Sequence, residues 1–205
     1  MQKSRIARFT ESVLDDAVDY VAKGGVIVLP TDTVYGIGCA YDNETSIERI
    51  FEIKHREPTK SIAVLIADLN QVPLLTDDFT PQARSLAERF WPGGLTLIVA
   101  KRAGLPVNLS LYPTIGVRIP DHDLTRELIR RTGPLATTSA NLSGEKAACS
   151  LAEIPTDWAE CVDALYDDGP VRGGLASTVV DCTGRELRIL RRGALSASDL
   201  GINHA

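Results

Sequence analysis

The sequence has no run long and apolar enough to cross a bilayer. Its longest apolar stretches, "GGVIVLP" (24–30) and "LTLIVA" (95–100), fall far short of the roughly 20 residues a spanning helix needs. Nor does it open on a secretory signal, since "MQKSRIARFTESVLDD" turns acidic before any apolar segment develops. These absences predict a cytoplasmic protein without membrane attachment. Cysteine is scarce and scattered: Cys39, Cys149, Cys161 and Cys182 form no C-x-x-C pair and no histidine cluster accompanies them. The paired spacing of a structural zinc site is therefore missing, and no metal site is expected. The four read as reduced thiols in or near a core, with Cys149 in a loop.

Positive charge is not in excess either. A formal net charge of −5 argues against a general nucleic-acid coat protein, although it leaves room for one basic cleft. The common nucleotide and hydrolase signatures are absent. There is no G-x-x-x-x-G-K-[ST] and no G-x-S-x-G. "GIGCAY" (36–41) lacks the third glycine of a dinucleotide fingerprint and no helix start follows it at once, so a turn is predicted there. The histidines have no partnered nucleophile; His55 and His122 read as surface residues ahead of functional ones, and His204 as part of a tail.

What is present is an alternation of helical and strand patterns. In 205 residues, 44% hydrophobic and 24% charged, one globular domain over 1–205 is the expectation. Val13, Leu14, Ala17, Val18 and Val21 share a helical face over 12–23, and Gly24-Gly25 stops it. Residues 26–29 then read as a buried strand, 45–54 as a helix ending near Arg56 before Pro58, and 61–66 as the next strand. Thr80-Pro81 caps a helix that "WPGG" breaks. Strands are predicted at 95–100, 115–119, 135–139, 162–166, 177–182 and 187–191, and a helix at 123–131. Such alternation predicts an α/β fold with a twisted, mixed sheet flanked by helices, its late strands partly antiparallel. Residues 142–150 and 168–176 are the best loops, and 142–150 is the lid candidate.

Seven segments fall at strand ends: "PTDTVYGIG" (30–38), "KHREPTKS" (54–61), "FWPGGLT" (90–96), "TIGVRIP" (114–120), "TTSANLSG" (137–144), "STVVD" (177–181) and "ILRRGAL" (189–195). In an open α/β sheet ligands collect in the crevice at strand ends. Converging there, these segments would bring Lys54, Arg56, Lys60, Arg118 and Arg191 together with Thr31, Thr33, Ser139 and Ser177. Cations and hydroxyls with few carboxylates suit an anionic ligand such as a triphosphate or a carboxylate. Single residues have plainer readings. Lys54 also suits a helix C-terminus, Thr31 and Thr33 suit a turn, and Ser139 a local cap near Asn141. Arg118 has no plain reading, because a charge inside an apolar strand needs a partner or a cleft.

From "GGVIVLPTDTVYGIG" to "ILRRGAL" the chain resembles the YrdC-like threonylcarbamoyl-AMP synthases. The resemblance rests on "PTDTVYG", the K-x-R of "KHR", "FWPG.LT", "GVRIP", the S-x-N of "SAN" followed by "LSG", and "STVVD", in the family's order. It implies a YrdC-like fold around a concave basic cleft. It also implies a nucleotidyltransferase that joins L-threonine, bicarbonate and ATP into threonylcarbamoyl-AMP with release of pyrophosphate, Mg²⁺ accompanying the ATP. A separate transferase complex would then carry the group to adenosine 37 of tRNA. By the same resemblance Lys54 and Arg56 are the catalytic residues, Arg56 and Lys60 hold ATP phosphates with Lys54 beside them, and Asn141, Arg191, Thr114 and Ser150 also contact the nucleotide. Thr33, Arg118, Ser139 and Ser177, with Thr31, form the threonine pocket.

The chain departs from the family in three places. Glu57 stands where proline usually follows K-x-R, and its carboxylate has to point away from phosphate or pair with Lys60. Leu65 stands where some longer members carry histidine. The residues in hand carry no counterpart of the extra C-terminal domain of the longer members, so the short form is the expectation. Two other readings stay open: a YrdC-like paralogue handling another carbamoyl-adenylate, and a module that binds double-stranded RNA or tRNA without catalysis.

Overall fold

The computed structural model describes residues 5–202; His204 lies outside them. Ten strands form one sheet. In chain order they are β1 (Arg5–Arg8), β2 (Ile27–Leu29), β3 (Gly36–Ala40), β4 (Ala63–Leu65), β5 (Leu95–Ala100), β6 (Thr114–Arg118), β7 (Leu135–Ser139), β8 (Ala164–Asp167), β9 (Thr178–Asp181) and β10 (Arg188–Arg191). The helices are α1 (Leu14–Ala22), α2 (Glu44–Ile53), α3 (Pro81–Phe90), α4 (Asp123–Thr132), α5 (Trp158–Cys161) and α6 (Ala197–Leu200). The sheet order is β1-β8-β2-β3-β7-β4-β6-β5-β9-β10. Parallel pairs (β1/β8, β2/β8, β4/β6, β5/β9) mix with antiparallel ones (β2/β3, β3/β7, β4/β7, β5/β6, β9/β10). The fold is the twisted, mixed α/β sheet flanked by helices that the alternating pattern predicts.

Alternation along each strand sorts its side chains between two cores. On one face Val28, Ile37, Val64, Leu97, Val117 and Ala136 join Ile47, Ile50 and Phe51 of α2 and Leu86 of α3. On the other, Ile27, Leu29, Leu65 and Leu135 meet Leu14, Ala17 and Val21 of α1 and Leu128 and Ile129 of α4. Here α1 and α4 cover only part of the sheet. Beyond them β4, β6, β5 and β9 turn Ala63, Gly116, Arg118, Thr96, Ile98 and Val179 toward a cavity.

Two predicted features need correction. "GIGCAY" is not a turn: residues 36–40 form β3, paired antiparallel with β2 and β7. Its glycines answer a steric demand, since a Cβ at Gly36 would lie 2.7 Å from Thr137 Cγ2 and one at Gly38 2.8 Å from Thr137 Oγ1. His122 is more than a surface residue. Its Nδ1 accepts the Thr125 N–H at 3.2 Å as the N-cap of α4, and its Nε2 lies 3.2 Å from Asp168 Oδ2. β1, α5, α6 and the 3₁₀ turn Leu69–Leu74 were not predicted.

The end of α2 explains the basic segment that follows it. His55 sits at φ +48; its N–H donates to Glu52 O at 3.1 Å, while the Arg56 N–H donates to Phe51 O at 2.9 Å. These are the two bonds of a Schellman cap, which usually places glycine at the left-handed position. Replacing His55 with glycine is therefore expected to raise unfolding stability by about 1 kcal/mol, read as a higher denaturant midpoint at unchanged slope. An unchanged or lower midpoint would show that the strain is absent.

Candidate active site

The cavity on the uncovered part of the sheet encloses about 270 Å³. Strand parity supplies its floor and strand ends its walls. Seven of the residues singled out in the sequence line it: Thr31, Thr33, Arg56, Arg118, Ser139, Ser177 and Arg191. Leu65 lines it too, together with Ser61 and Thr96, which sequence reasoning passed over.

Arg118 is the best-fixed of the cations. It is 6% exposed and ends β6 on the cavity face. Nε donates to Gly93 O at 2.9 Å, Nη1 to Thr33 Oγ1 at 2.8 Å and Nη2 to Asp32 Oδ1 at 2.5 Å. A guanidinium has about five N–H donors, so two remain for a ligand. Asp32, which also accepts the Asp121 N–H at 3.0 Å, was not singled out in the sequence. Thr31 shapes the same loop: its hydroxyl donates to Val34 O at 2.6 Å and accepts the N–H groups of Thr33 and Val34.

Arg56 and Arg191 have no carboxylate partner among the described residues. Arg56 donates to the carbonyls of Lys60 and Ser61 at 3.1 and 2.7 Å. Arg191 donates to Ser177 O at 2.9 Å and to Ser177 Oγ at 3.1 Å. Burial lowers the pKa of all three arginines. Arg191 adds to the lowering at Arg56 and Arg118, while Asp32 opposes it at Arg118. Arginine stays charged through such shifts. Three guanidiniums therefore share one cavity with one adjacent carboxylate, and an anion would relieve their mutual repulsion.

Lys54 departs from the expected phosphate contact. It is 1% exposed and does not line the cavity. Its Nζ donates to Ser139 O at 2.5 Å and also to Asn141 O, and lies 5.7 Å from the Trp158 ring centroid. Burial, and secondarily Arg56, pull its pKa down to about 7. The K-x-R lysine is thus tied to the backbone of the S-x-N segment. Asn141 is buried as well; its Nδ2 donates to Leu142 O and Glu145 O at 2.8 and 2.9 Å, and its Oδ1 has no partner among the described residues.

Three other expected contacts stand outside the cavity. Lys60 is on the rim, with Nζ 3.3 Å from Ser143 Oγ and 3.9 Å from Glu57 Oε2. The Glu57 side chain is 72% exposed, so it both points to solvent and faces Lys60. Thr114 starts β6, four residues before Arg118. Ser150 donates to Glu153 Oε1 at 3.4 Å in the loop after β7. That loop is tied to its surroundings: Tyr35 N–H donates to Ala148 O and Val171 N–H to Cys149 O, both at 2.8 Å. Among the described residues no group of three or more His, Cys, Asp or Glu could hold a metal ion, and no helix is long and apolar enough to cross a membrane.

Comparison with known proteins places this geometry in a family. The Sua5/YciO/YrdC family model, described as "Telomere recombination", matches residues 19–193. The threonylcarbamoyl-AMP synthase of Pyrococcus abyssi is 33% identical over 94% of this chain and 57% of its own length. That of Bacillus subtilis is 35% identical over 85% of this chain and 51% of its own. The chain thus spans about half the length of these relatives. The crystal structure of P. abyssi Sua5 complexed with L-threonine superposes with a TM-score of 0.90 at 32% identity, covering 96% of this chain and 58% of that one. Escherichia coli YciO superposes with a TM-score of 0.85 at 27% identity, covering 98% of this chain and 100% of that one. A match over most of the chain in sequence, and in structure over the strands that floor the cavity, means that this protein belongs to the Sua5/YciO/YrdC family.

Proposed function

We propose that the chain joins L-threonine, bicarbonate and ATP into threonylcarbamoyl-AMP and pyrophosphate. The observation that carries this reading is the shared cavity of Arg56, Arg118 and Arg191 with the hydroxyls of Thr33, Ser139 and Ser177. The P. abyssi relative of similar fold was solved with L-threonine, which supports an amino-acid ligand here.

Threonine's amine attacks bicarbonate and water leaves, giving an N-carboxylate. An oxygen of that carbamate attacks the α-phosphorus of ATP, and pyrophosphate departs. No protein nucleophile is required. The chain aligns two mutually repelling anions and offsets the charge that builds on the phosphates. Arg118, oriented by Asp32 and Thr33, holds the amino-acid carboxylate with its two spare N–H groups. Arg56 and Arg191 face the phosphates, and Lys60 on the rim meets the leaving pyrophosphate. Lys54 acts at one remove, by fixing Ser139 and Asn141. Thr114 and Ser150 meet the nucleotide only where it extends past the cavity. Mg²⁺ would be held by the ATP phosphates, whose oxygens suit it, and would supply charge neutralisation there. The product passes in the cytoplasm to a transferase that modifies tRNA.

The test is pyrophosphate release from ATP and bicarbonate with each amino acid in turn. Release that requires L-threonine, and that Arg56→Ala abolishes while its far-ultraviolet circular dichroism is unchanged, is the expected result. The full-length match to YciO favours a second reading, a paralogue acting on another carbamoyl-adenylate or binding double-stranded RNA. Absence of release with every amino acid, together with salt-dependent RNA binding, would replace the first reading with the second.

A further inference from the structure

Thr96 ends the segment "FWPGGLT" but has no part in the reaction as described so far. It sits on β5 and is buried, and its Oγ1 lies 2.7 Å from the buried Ser177 Oγ. The β5/β6 register pairs Leu97 with Val117 and Ile98 with Gly116, and one step further sets Thr96 opposite Arg118 on the cavity face. Directly opposed residues on one face are close neighbours.

The protons of this pair can be followed one by one. Each hydroxyl carries one donor and two acceptor sites. Ser177 Oγ accepts from Arg191 Nη2. If Thr96 donates to Ser177, the Ser177 proton has no acceptor among the described residues; if Ser177 donates to Thr96, the Thr96 proton has none there. Either way one O–H is left over, buried, in the wall of the cavity that both residues line. Buried donors take partners, and two guanidiniums flank that partner: Arg191, bonded to Ser177 Oγ at 3.1 Å, and Arg118, opposite Thr96 across the β5/β6 ladder. An anionic oxygen is the acceptor that satisfies both.

We propose that Thr96 and Ser177 form a two-hydroxyl unit that donates one hydrogen bond to the carboxylate of the amino-acid ligand held by Arg118, which makes Thr96 a further binding residue. The proposal rests on the amino-acid reading of the cavity. It differs from a lone serine contact in one measurable respect: either hydroxyl can supply the donor when the other is removed.

The test is calorimetric titration of L-threonine and of L-2-aminobutyrate, which keeps the carboxylate but lacks the hydroxyl, into wild type, Thr96→Val, Ser177→Ala and the double variant. Each single variant is expected to weaken threonine binding only a few-fold. The double variant should lose a further tenfold or more beyond the product of the singles, about the value of a hydrogen bond to a charged group. The same loss should appear with 2-aminobutyrate, and Thr96→Ser should bind as wild type does. Losses that simply multiply, at unchanged melting temperature, would overturn the two-hydroxyl unit. A loss confined to threonine would overturn the carboxylate as its acceptor. A wild type that binds neither ligand would overturn the amino-acid reading and this inference with it.

Discussion

Arg118→Ala is expected to lower threonine-dependent pyrophosphate release at least a hundredfold and to destabilise the fold by about 3 kcal/mol. Both effects come from one substitution because Arg118 does two jobs. Toward the cavity it has two N–H groups that no protein acceptor among the described residues uses. Toward the protein it neutralises Asp32, whose side chain is only 17% exposed. Alanine leaves that carboxylate with the Asp121 N–H alone, and an uncompensated buried charge costs about 3–5 kcal/mol. Arg118→Lys separates the two effects. A lysine keeps the charge beside Asp32 but cannot reproduce the three-way fork to Gly93, Thr33 and Asp32. Most of the stability should return while most of the activity does not. Thermal unfolding and pyrophosphate release on the same preparations check both halves. An Arg118→Ala protein that folds and still requires threonine would remove Arg118 from ligand recognition.

Lys54→Met should cost about as much stability, for a different reason. Methionine fills the space beside Trp158 but leaves the Ser139 and Asn141 carbonyls without their donor. A hydrogen bond to a charged group is worth about 1.5–3 kcal/mol, so losing two predicts a fall of about 3 kcal/mol. Turnover should fall with it, because Ser139 lines the cavity. The pH dependence distinguishes this buried amine from an exposed one. Its folded pKa, near 7, lies below its unfolded value of about 10.5. Between those values the unfolded chain binds more protons, so stability rises with pH. The contribution is fully present above the unfolded pKa and is lost as pH falls through the folded one. A neutral amine still has two N–H groups for its two carbonyls. The gap in unfolding free energy between wild type and Lys54→Met should therefore widen from pH 7 toward 10. A gap that stays constant would place the ammonium in solvent.

Much of this molecule is legible in its residues, and the exceptions have physical causes. β5, β7 and the start of α4 fall at their predicted positions because one clear period governs each stretch. β3 was misread because glycine at every second position imitates a turn, whereas the true cause is the Thr137 side chain lying where their Cβ atoms would go. β1 carries Arg5 and Arg8 on an edge and buries little, so no period marks it. At the site, Arg118 stood out because a charge inside an apolar strand is conspicuous. Thr96 did not, since threonine is ordinary in a strand and its importance depends on a partner 81 residues away. Lys54 stands beside Arg56 in sequence but not in the cavity, because sequence gives the charge and not the direction in which the stem points.

The division of each floor strand between two faces has an evolutionary consequence. On β5 and β6 the residues that fill the core (Leu95, Leu97, Val99, Ile115, Val117) alternate with those that line the cavity (Thr96, Ile98, Gly116, Arg118). Selection can rewrite the second set while leaving the first untouched. A lineage built on this sheet can thus change what it recognises without passing through unfolded intermediates. The route is narrowest at Gly116, where an added Cβ would lie 3.1 Å from Thr96 Cγ2 and 3.3 Å from Ala63 Cβ. New specificities should therefore arise by exchanging hydroxyls and apolar groups around that glycine rather than by replacing it.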